Sequence, residues 1–200
     1  GTPDVEVVDE STPTTPESPY GETKLIGEWL LRDVGRSAGI RHTSLRYFNV
    51  VGSGSPRLFD ASPHNLFPKV FDMLYRGETP RVNGDDYPTP DGTCVRDYIH
   101  VSDLAEAHLL ALRPGITGDY NLGRGHGDSV LEVLNTCREI TGHPIPSEEH
   151  PARAGDPPTL IASVEKAREQ LQWEARHTSI REIIASAWQW HKANPYGYPL

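Results

Sequence analysis

The stretch from Ser18 to Gly52 sets the terms on which this chain can fold. Ser18 is a candidate N-cap, and Pro19 suits the first helical position, where its missing N–H would have had no intrahelical partner. Ile26, Leu30, Val34 and Ala38 then recur at four-residue spacing, and Gly39 supplies a stop at which φ can turn positive. Arg41 to Val51, rich in Thr, Tyr, Phe and Val, reads as a strand that ends where Gly52-Ser53-Gly54-Ser55-Pro56 stops regular structure. A helix followed directly by a strand predicts an α/β fold.

Within that helix Tyr20 and Lys24 stand one turn apart on the same face. A free tyrosine titrates near 10, so serving as a base near neutral pH means lowering its pKa by roughly three units, about 4 kcal/mol. An ammonium about 5 Å away at an effective dielectric of about 20 favours the phenolate by roughly 3 kcal/mol. Lys24 therefore supplies most of the shift, and a second positive charge such as an oxidised nicotinamide ring could supply the rest. A Tyr-x-x-x-Lys pair alone is a weak signal, because a solvated helix face produces one by chance.

Other features narrow the class. Two hundred residues fit one domain or two small ones, and no run approaches the 18 or so apolar residues of a membrane span. A net charge of −9 without a Lys/Arg cluster argues against nucleic acid as a partner. Cys94 and Cys137 lie far apart in no Cys-x-x-Cys spacing, which suggests neither a disulfide framework nor zinc and fits a reducing cytoplasm. The nine histidines fall in no metal-ligand spacing, so His100 and His108 are expected as packing positions and no metal is expected. The chain opens at Gly1 with neither an initiator Met nor a basic-then-apolar leader, which predicts a fragment or processed chain without a secretory signal.

Taken in order, residues 1 to 19 read as a proline-rich surface loop. Ser102 or Asp103 is expected to cap a helix through Leu104, Ala107, Leu110 and Ala111, with a strand following at Asp119 to Leu122. Gly123-Arg124-Gly125-His126-Gly127 matches neither a dinucleotide fingerprint nor a P-loop; it reads as a turn into a helix with Ser129 and Glu132 as capping box. Glu148-Glu149-His150 reads as a solvated loop, and Ser179 with Glu182 as a second capping box ahead of the stripe Ile180, Ile183, Ile184, Ala187 and Trp188.

Arg46-Tyr47-Phe48-Asn49, one element after the Tyr/Lys helix, begins a family likeness that the run Asn83-Gly84-Asp85-Asp86-Tyr87-Pro88-Thr89-Pro90-Asp91-Gly92-Thr93-Cys94-Val95-Arg96-Asp97-Tyr98-Ile99-His100-Val101 makes specific. The chain resembles the extended short-chain dehydrogenase/reductase superfamily, with its nearest likeness to the UDP-glucose 4-epimerases, over essentially all of its length. Ser163 to Trp173 resembles the late helix of the same superfamily. The resemblance implies the C-terminal part of an NAD-binding Rossmann-type domain, residues 1–52 with the Tyr/Lys helix, plus a smaller α/β substrate-binding domain. The latter is mainly residues 53–200, with about 94–125 packing back on the Rossmann side.

The activity so implied interconverts UDP-galactose and UDP-glucose: NAD takes and returns hydride at C4 while Tyr20 moves the 4-hydroxyl proton, through a 4-keto sugar. By the same resemblance Tyr20, Lys24 and Phe48 meet NAD, and Asn49, Asn65, Leu66, Arg81, Val82, Asn83, Arg96, Arg153 and Asp156 surround the UDP-sugar. The residue types suit this, because amides both donate and accept toward hydroxyls and guanidinium forks match a pyrophosphate. Leu160 stands where family members carry either a bulky Tyr or a small residue that admits N-acetylated sugars. The resemblance also implies a homodimer, when complete, built on the helices near Tyr20 and Ile40.

The glycine-rich strand-turn-helix, the acidic residue for the adenosine ribose and the Ser/Thr partner of the Tyr are missing from the sequence. The 200 residues alone are therefore expected neither to bind NAD tightly nor to turn over. Two alternatives stay open: a sugar-nucleotide 4,6-dehydratase or decarboxylase of the same superfamily, and a catalytically silent UDP-sugar-binding chain.

Overall fold

A computed structural model describes residues 1–58, 60, 65–144, 147–152 and 155–195, with backbone alone at positions 75, 81 and 149. Helix α1, Pro19–Ala38, begins and ends as its sequence predicts. Ser18 is extended and its Oγ accepts from the Gly21 N–H, while Gly39 closes the helix at φ 66°. No residue of α1 is buried: Ile26, Trp29, Leu30, Leu31 and Val34 all stay about half exposed, so the stripe that predicts the helix meets no core among the described residues. None of the helices among the described residues is long and apolar enough to cross a membrane.

The expected strand at 41–51 forms in two pieces. Strand β2, Thr43–Tyr47, pairs in parallel with β6, Gly118–Leu122, whereas β3, Asn49–Val51, pairs in parallel with β5, Val95–His100. The chain changes partner at Phe48, whose N–H reaches Leu122 O at 3.3 Å. Strand β5 is the hub: it also pairs in parallel with β9, Thr159–Ala162, and antiparallel with β7, Gly127–Ser129. Two expected loops prove to hold short strands. Within residues 1–19, Val7–Val8 forms β1 against Ile161 and Ala162; and Glu148–His150 forms β8 against β4, Arg81–Asn83. Two or three residues are too short to display a period of two, and backbone pairing rather than composition decides them.

Helices α2, Leu66–Arg76, α3, Val101–Ala111, α4, Val130–Thr141, and α5, Ile180–Ala193, complete the fold with a π-helical turn at Ala167–Leu171 in the expected late helix. The Ser129/Glu132 capping box of α4 forms in both directions. The Asp91-Gly92-Thr93 part of the family stretch fastens onto it: Ser129 Oγ donates to Asp91, Thr93 N–H donates to Asp91 Oδ1 at 2.9 Å, and Thr93 Oγ1 accepts from Leu131 N–H at 3.2 Å. Two caps differ from expectation. Helix α3 is capped by His100, whose Nδ1 accepts from Ser102 N–H at 3.1 Å, while Asp103 turns inward to His177; and Ser179 makes no side-chain cap on α5.

Apolar burial divides into two clusters that share β5. Tyr98 joins Val51, Phe67, Phe71, Val82, Leu134 and Ile183 on one side, and Ile99 joins Leu104, Tyr120, Leu122, Leu171 and Trp173 on the other. Successive side chains of a strand face opposite ways, so one strand serves both cores. Cys94 and Cys137 are free and buried, and burial pushes the Cys137 thiol up to about 12.

Candidate active site

Against the first of these cores lies a cavity of about 850 Å³. The chain brings to it Tyr20 from α1, Phe48 from the break after β2, Asn49 from β3, Asn65 just before α2 and Leu66 at its start, Asn83 from β4, Arg96 from β5, and Asp156 and Leu160 from the approach to β9 and β9 itself. These residues span positions 20 to 160, and the parallel pairing of β5 with β3 and with β9 brings Asn49, Arg96 and Leu160 to the same cavity. Lys24 stands behind Tyr20, its Nζ 5.1 Å from the centroid of the phenol ring. The Tyr20 side chain is open at the rim, 73% exposed.

Among the expected residues, Val82 is placed otherwise. Strand alternation sends its side chain into the first core, 4% exposed, while its neighbour Asn83 faces the cavity. Arg153 and the side chain of Arg81 lie outside the described residues.

Arg96 is fixed from one end. Its Nη1 donates to Val95 O at 2.9 Å and to Pro157 O at 2.7 Å, and its Nη2 lies 3.9 Å from Asp156 Oδ1. One edge of the fork is thus spent on backbone carbonyls and the charge is presented beside the cavity. Helix α2 adds to that positive end. No acidic residue occupies its first turn, Asn65 makes no side-chain cap and donates its Nδ2 to Asp60 at 2.6 Å, and Asn65, Leu66 and Phe67 at its start line the cavity. A guanidinium and a helix N-terminus facing one space suit an anion such as a phosphate.

Several lining residues escape a reading of the sequence. Cys94 and Asp97 come from the family stretch, Lys69 from α2, and Ala187 and His191 from α5. His191 was legible in principle: it lies one turn beyond Ala187 and two beyond Ile183 on the inward stripe. Burial pushes its imidazole down to about 4, so it is neutral in the folded chain. Asp97 is fully buried; burial pushes its carboxyl up from the usual range, against the pull of the N–H groups of Arg124, Ala162 and Gly125 that it accepts.

The donor set fits one end of a dinucleotide. A phenol and an ammonium one turn apart at an open rim, beside the half-buried Phe48 ring, match the ribose hydroxyls and flat face of a nicotinamide riboside. No glycine-rich turn at a helix start appears among the described residues for the far phosphates.

The profile of the NAD dependent epimerase/dehydratase family matches residues 1–123. Among curated proteins, the UDP-glucose 4-epimerase of Halalkalibacterium halodurans is 47% identical over 199 residues, 96% of this chain and 60% of that protein. The UDP-glucose 4-epimerase of Corynebacterium glutamicum is 47% identical over 202 residues with the same coverage. Among solved structures, a UDP-glucose 4-epimerase superposes with a TM-score of 0.94 at 44% identity, covering all of this chain and 63% of the other. The Bifidobacterium longum UDP-glucose 4-epimerase in complex with NAD+ and UDP superposes with a TM-score of 0.86 at 40% identity, covering 99% and 62%. The chain thus spans about 60% of the length of the curated relatives it matches.

Proposed function

The chain belongs to the NAD dependent epimerase/dehydratase family, and from that premise we propose that it forms the substrate-binding portion of a UDP-glucose 4-epimerase. The observation that carries this reading is Tyr20, backed by Lys24, at the rim of a cavity walled by Asn49, Asn83, Arg96 and Asp156. NAD, when bound, would supply reversible hydride acceptance at C4 of the sugar. Tyr20 holds or returns the proton at the 4-hydroxyl oxygen, and Lys24 favours the phenolate and reaches the nicotinamide ribose hydroxyls. Arg96 and the first turn of α2 hold the pyrophosphate, Asp156 accepts from the uridine ribose, and Asn49 and Asn83 serve the sugar and the base. Leu160 borders the sugar and sets how much bulk its ring substituents can have.

In this reading residues 1–52 complete a Rossmann-type half and 53–200 mainly form the substrate half, with about 94–125 packing back on the Rossmann side, a placement supported by Leu45 and Val50 packing against the cluster of Ile99, Leu104, Tyr120 and Leu122. The open apolar side of α1 supports a homodimer contact there, and the free thiols fit a cytoplasmic enzyme. The test is a UDP-galactose to UDP-glucose assay on the full-length polypeptide. Tyr20→Phe is expected to lower kcat at least about a thousandfold while UDP-sugar affinity changes less than about threefold; equal losses in both would overturn the proton role.

A further inference from the structure

Helix α1 places Tyr20, Lys24 and Glu28 at successive four-residue steps, so each is the neighbour of the next along one side. That order contains a hazard. Lys24 and Glu28 can pair with each other, and a lysine drawn to the carboxylate would leave the phenol.

In the structure Glu28 is taken by another partner. Arg46 of β2 donates Nε and Nη2 to Glu28 Oε1 and Oε2 at 2.7 and 2.6 Å, and its Nη2 lies 3.3 Å from Asp119 Oδ2 on β6. The Arg46 and Glu28 side chains are only 22% and 16% exposed. A bidentate, part-buried pair outcompetes an exposed Lys-to-Glu pair in the less favourable order along the helix. Lys24 accordingly has no ion pair among the described residues, and its Nζ stays over the Tyr20 ring at 5.1 Å. The other charged groups around this set are Glu10, which also acts on Arg46 and accepts from Asn121 N–H, and Lys166, which donates to Asp119 O at 2.7 Å.

We propose that Arg46 is a positioning residue that withholds Glu28 from Lys24 and so keeps the ammonium at Tyr20. The inference rests on the proton-transfer role of Tyr20 proposed above. It differs from a plain tie between helix and sheet in one decisive way: a tie is broken equally from either end, whereas this role is lost only when Arg46 goes and Glu28 remains.

The experiment takes full-length protein as wild type and as Arg46→Gln, Arg46→Lys, Glu28→Gln, the Arg46→Gln/Glu28→Gln double variant and Tyr20→Phe. Two readouts are the pH–kcat profile and the 13Cε resonance of Lys24, identified by its loss in Lys24→Arg. Arg46→Gln is expected to move the acid limb up by about one pH unit and cut kcat at pH 7 about tenfold. Its Lys24 resonance should gain a titration step in the carboxylate range. Glu28→Gln alone and the double variant should stay within about twofold of wild type without that step, and Arg46→Lys should recover part of the loss.

If Glu28→Gln loses as much as Arg46→Gln, or the double variant is no better than the single, the proposal is overturned and the pair is only a structural tie. If Tyr20→Phe keeps wild-type kcat, the proton-transfer reading falls instead, and the Lys24 resonance still decides whether Arg46 withholds Glu28.

Discussion

His100 and His177 stack face to face, their ring centroids 3.9 Å apart and their planes within 20°. His100 Nδ1 accepts from Ser102 N–H, so the ring proton is on Nε2 and points to Ser186 Oγ at 3.1 Å. Protonating Nδ1 would abolish the cap of α3. Burial, with the His177 charge second, holds His100 below its usual value, and burial takes His191 to about 4.

Both histidines bind fewer protons folded than unfolded, so their contribution to stability is complete above the unfolded value of about 6.5 and is lost as pH falls toward the folded values. Asp97, raised by burial, acts in the opposite sense within the carboxylate range. The expected result is an unfolding free energy about 2 kcal/mol lower at pH 5 than at pH 7.5 by urea denaturation, with His191→Phe flattening the slope. Equal midpoints at the two pH values would contradict the neutral, buried assignment.

The same stack makes Gly52 irreplaceable. It has φ of 98°, and a Cβ there would fall inside His100 Cδ2 and Nε2. His100 has nowhere to retreat, with His177 on its face and Ser186 at its tip. Gly52→Ala should cost about 2–4 kcal/mol by denaturant unfolding, from backbone strain and the displaced ring together. A loss under about 0.5 kcal/mol would mean the ring yields.

Two capping sequences of the same type fared differently, and the difference shows what a sequence can reveal. Ser129-x-x-Glu132 and Ser179-x-x-Glu182 are both capping boxes on paper, but only the first forms. Both serines are extended, but Ser129 has a further partner in Asp91, just before β5, while the Ser179 Oγ makes no cap. Local chemistry made α1, α4 and the stripe of α5 legible. Choices that depend on a distant element were not: the cap of α3 by His100, the change of strand partner at Phe48, and the arrival of His191 at the cavity. The family stretch was legible as a signature, yet Asp91 and Thr93 within it turn out to brace β5 against α4. Ser129→Ala is expected to cost about 1–2 kcal/mol and Ser179→Ala only a few tenths, by thermal or urea unfolding. Equal costs would mean that the extra contact to Asp91 adds nothing.

Arg96 gives a prediction that separates charge from geometry. Lysine at this position keeps the charge but cannot keep the Nη1 bonds to Val95 O and Pro157 O while presenting a second edge to a ligand. Arg96→Lys should weaken UDP binding about tenfold or more by calorimetry, and in the full-length protein raise KM with kcat within about threefold. Unchanged binding would place the pyrophosphate elsewhere.

The two cysteines offer a test of where the nucleotide goes that needs no turnover. Cys94 is 6% exposed but borders the cavity beside Arg96, whereas Cys137 is fully enclosed in the first core with its thiol pushed up to about 12. Alkylation requires a thiolate and a path to it, and Cys137 has neither. Iodoacetamide on the folded chain, followed by peptide mass spectrometry, should therefore label Cys94 slowly and leave Cys137 unlabelled until denaturant is added. A nucleotide diphosphate held by Arg96 closes the same path, so saturating UDP should slow Cys94 labelling at least about fivefold, while uridine, lacking the phosphates, should protect much less. Equal protection by UDP and uridine would take the anion away from Arg96, and equal labelling of the two thiols would mean that the cavity does not open toward Cys94.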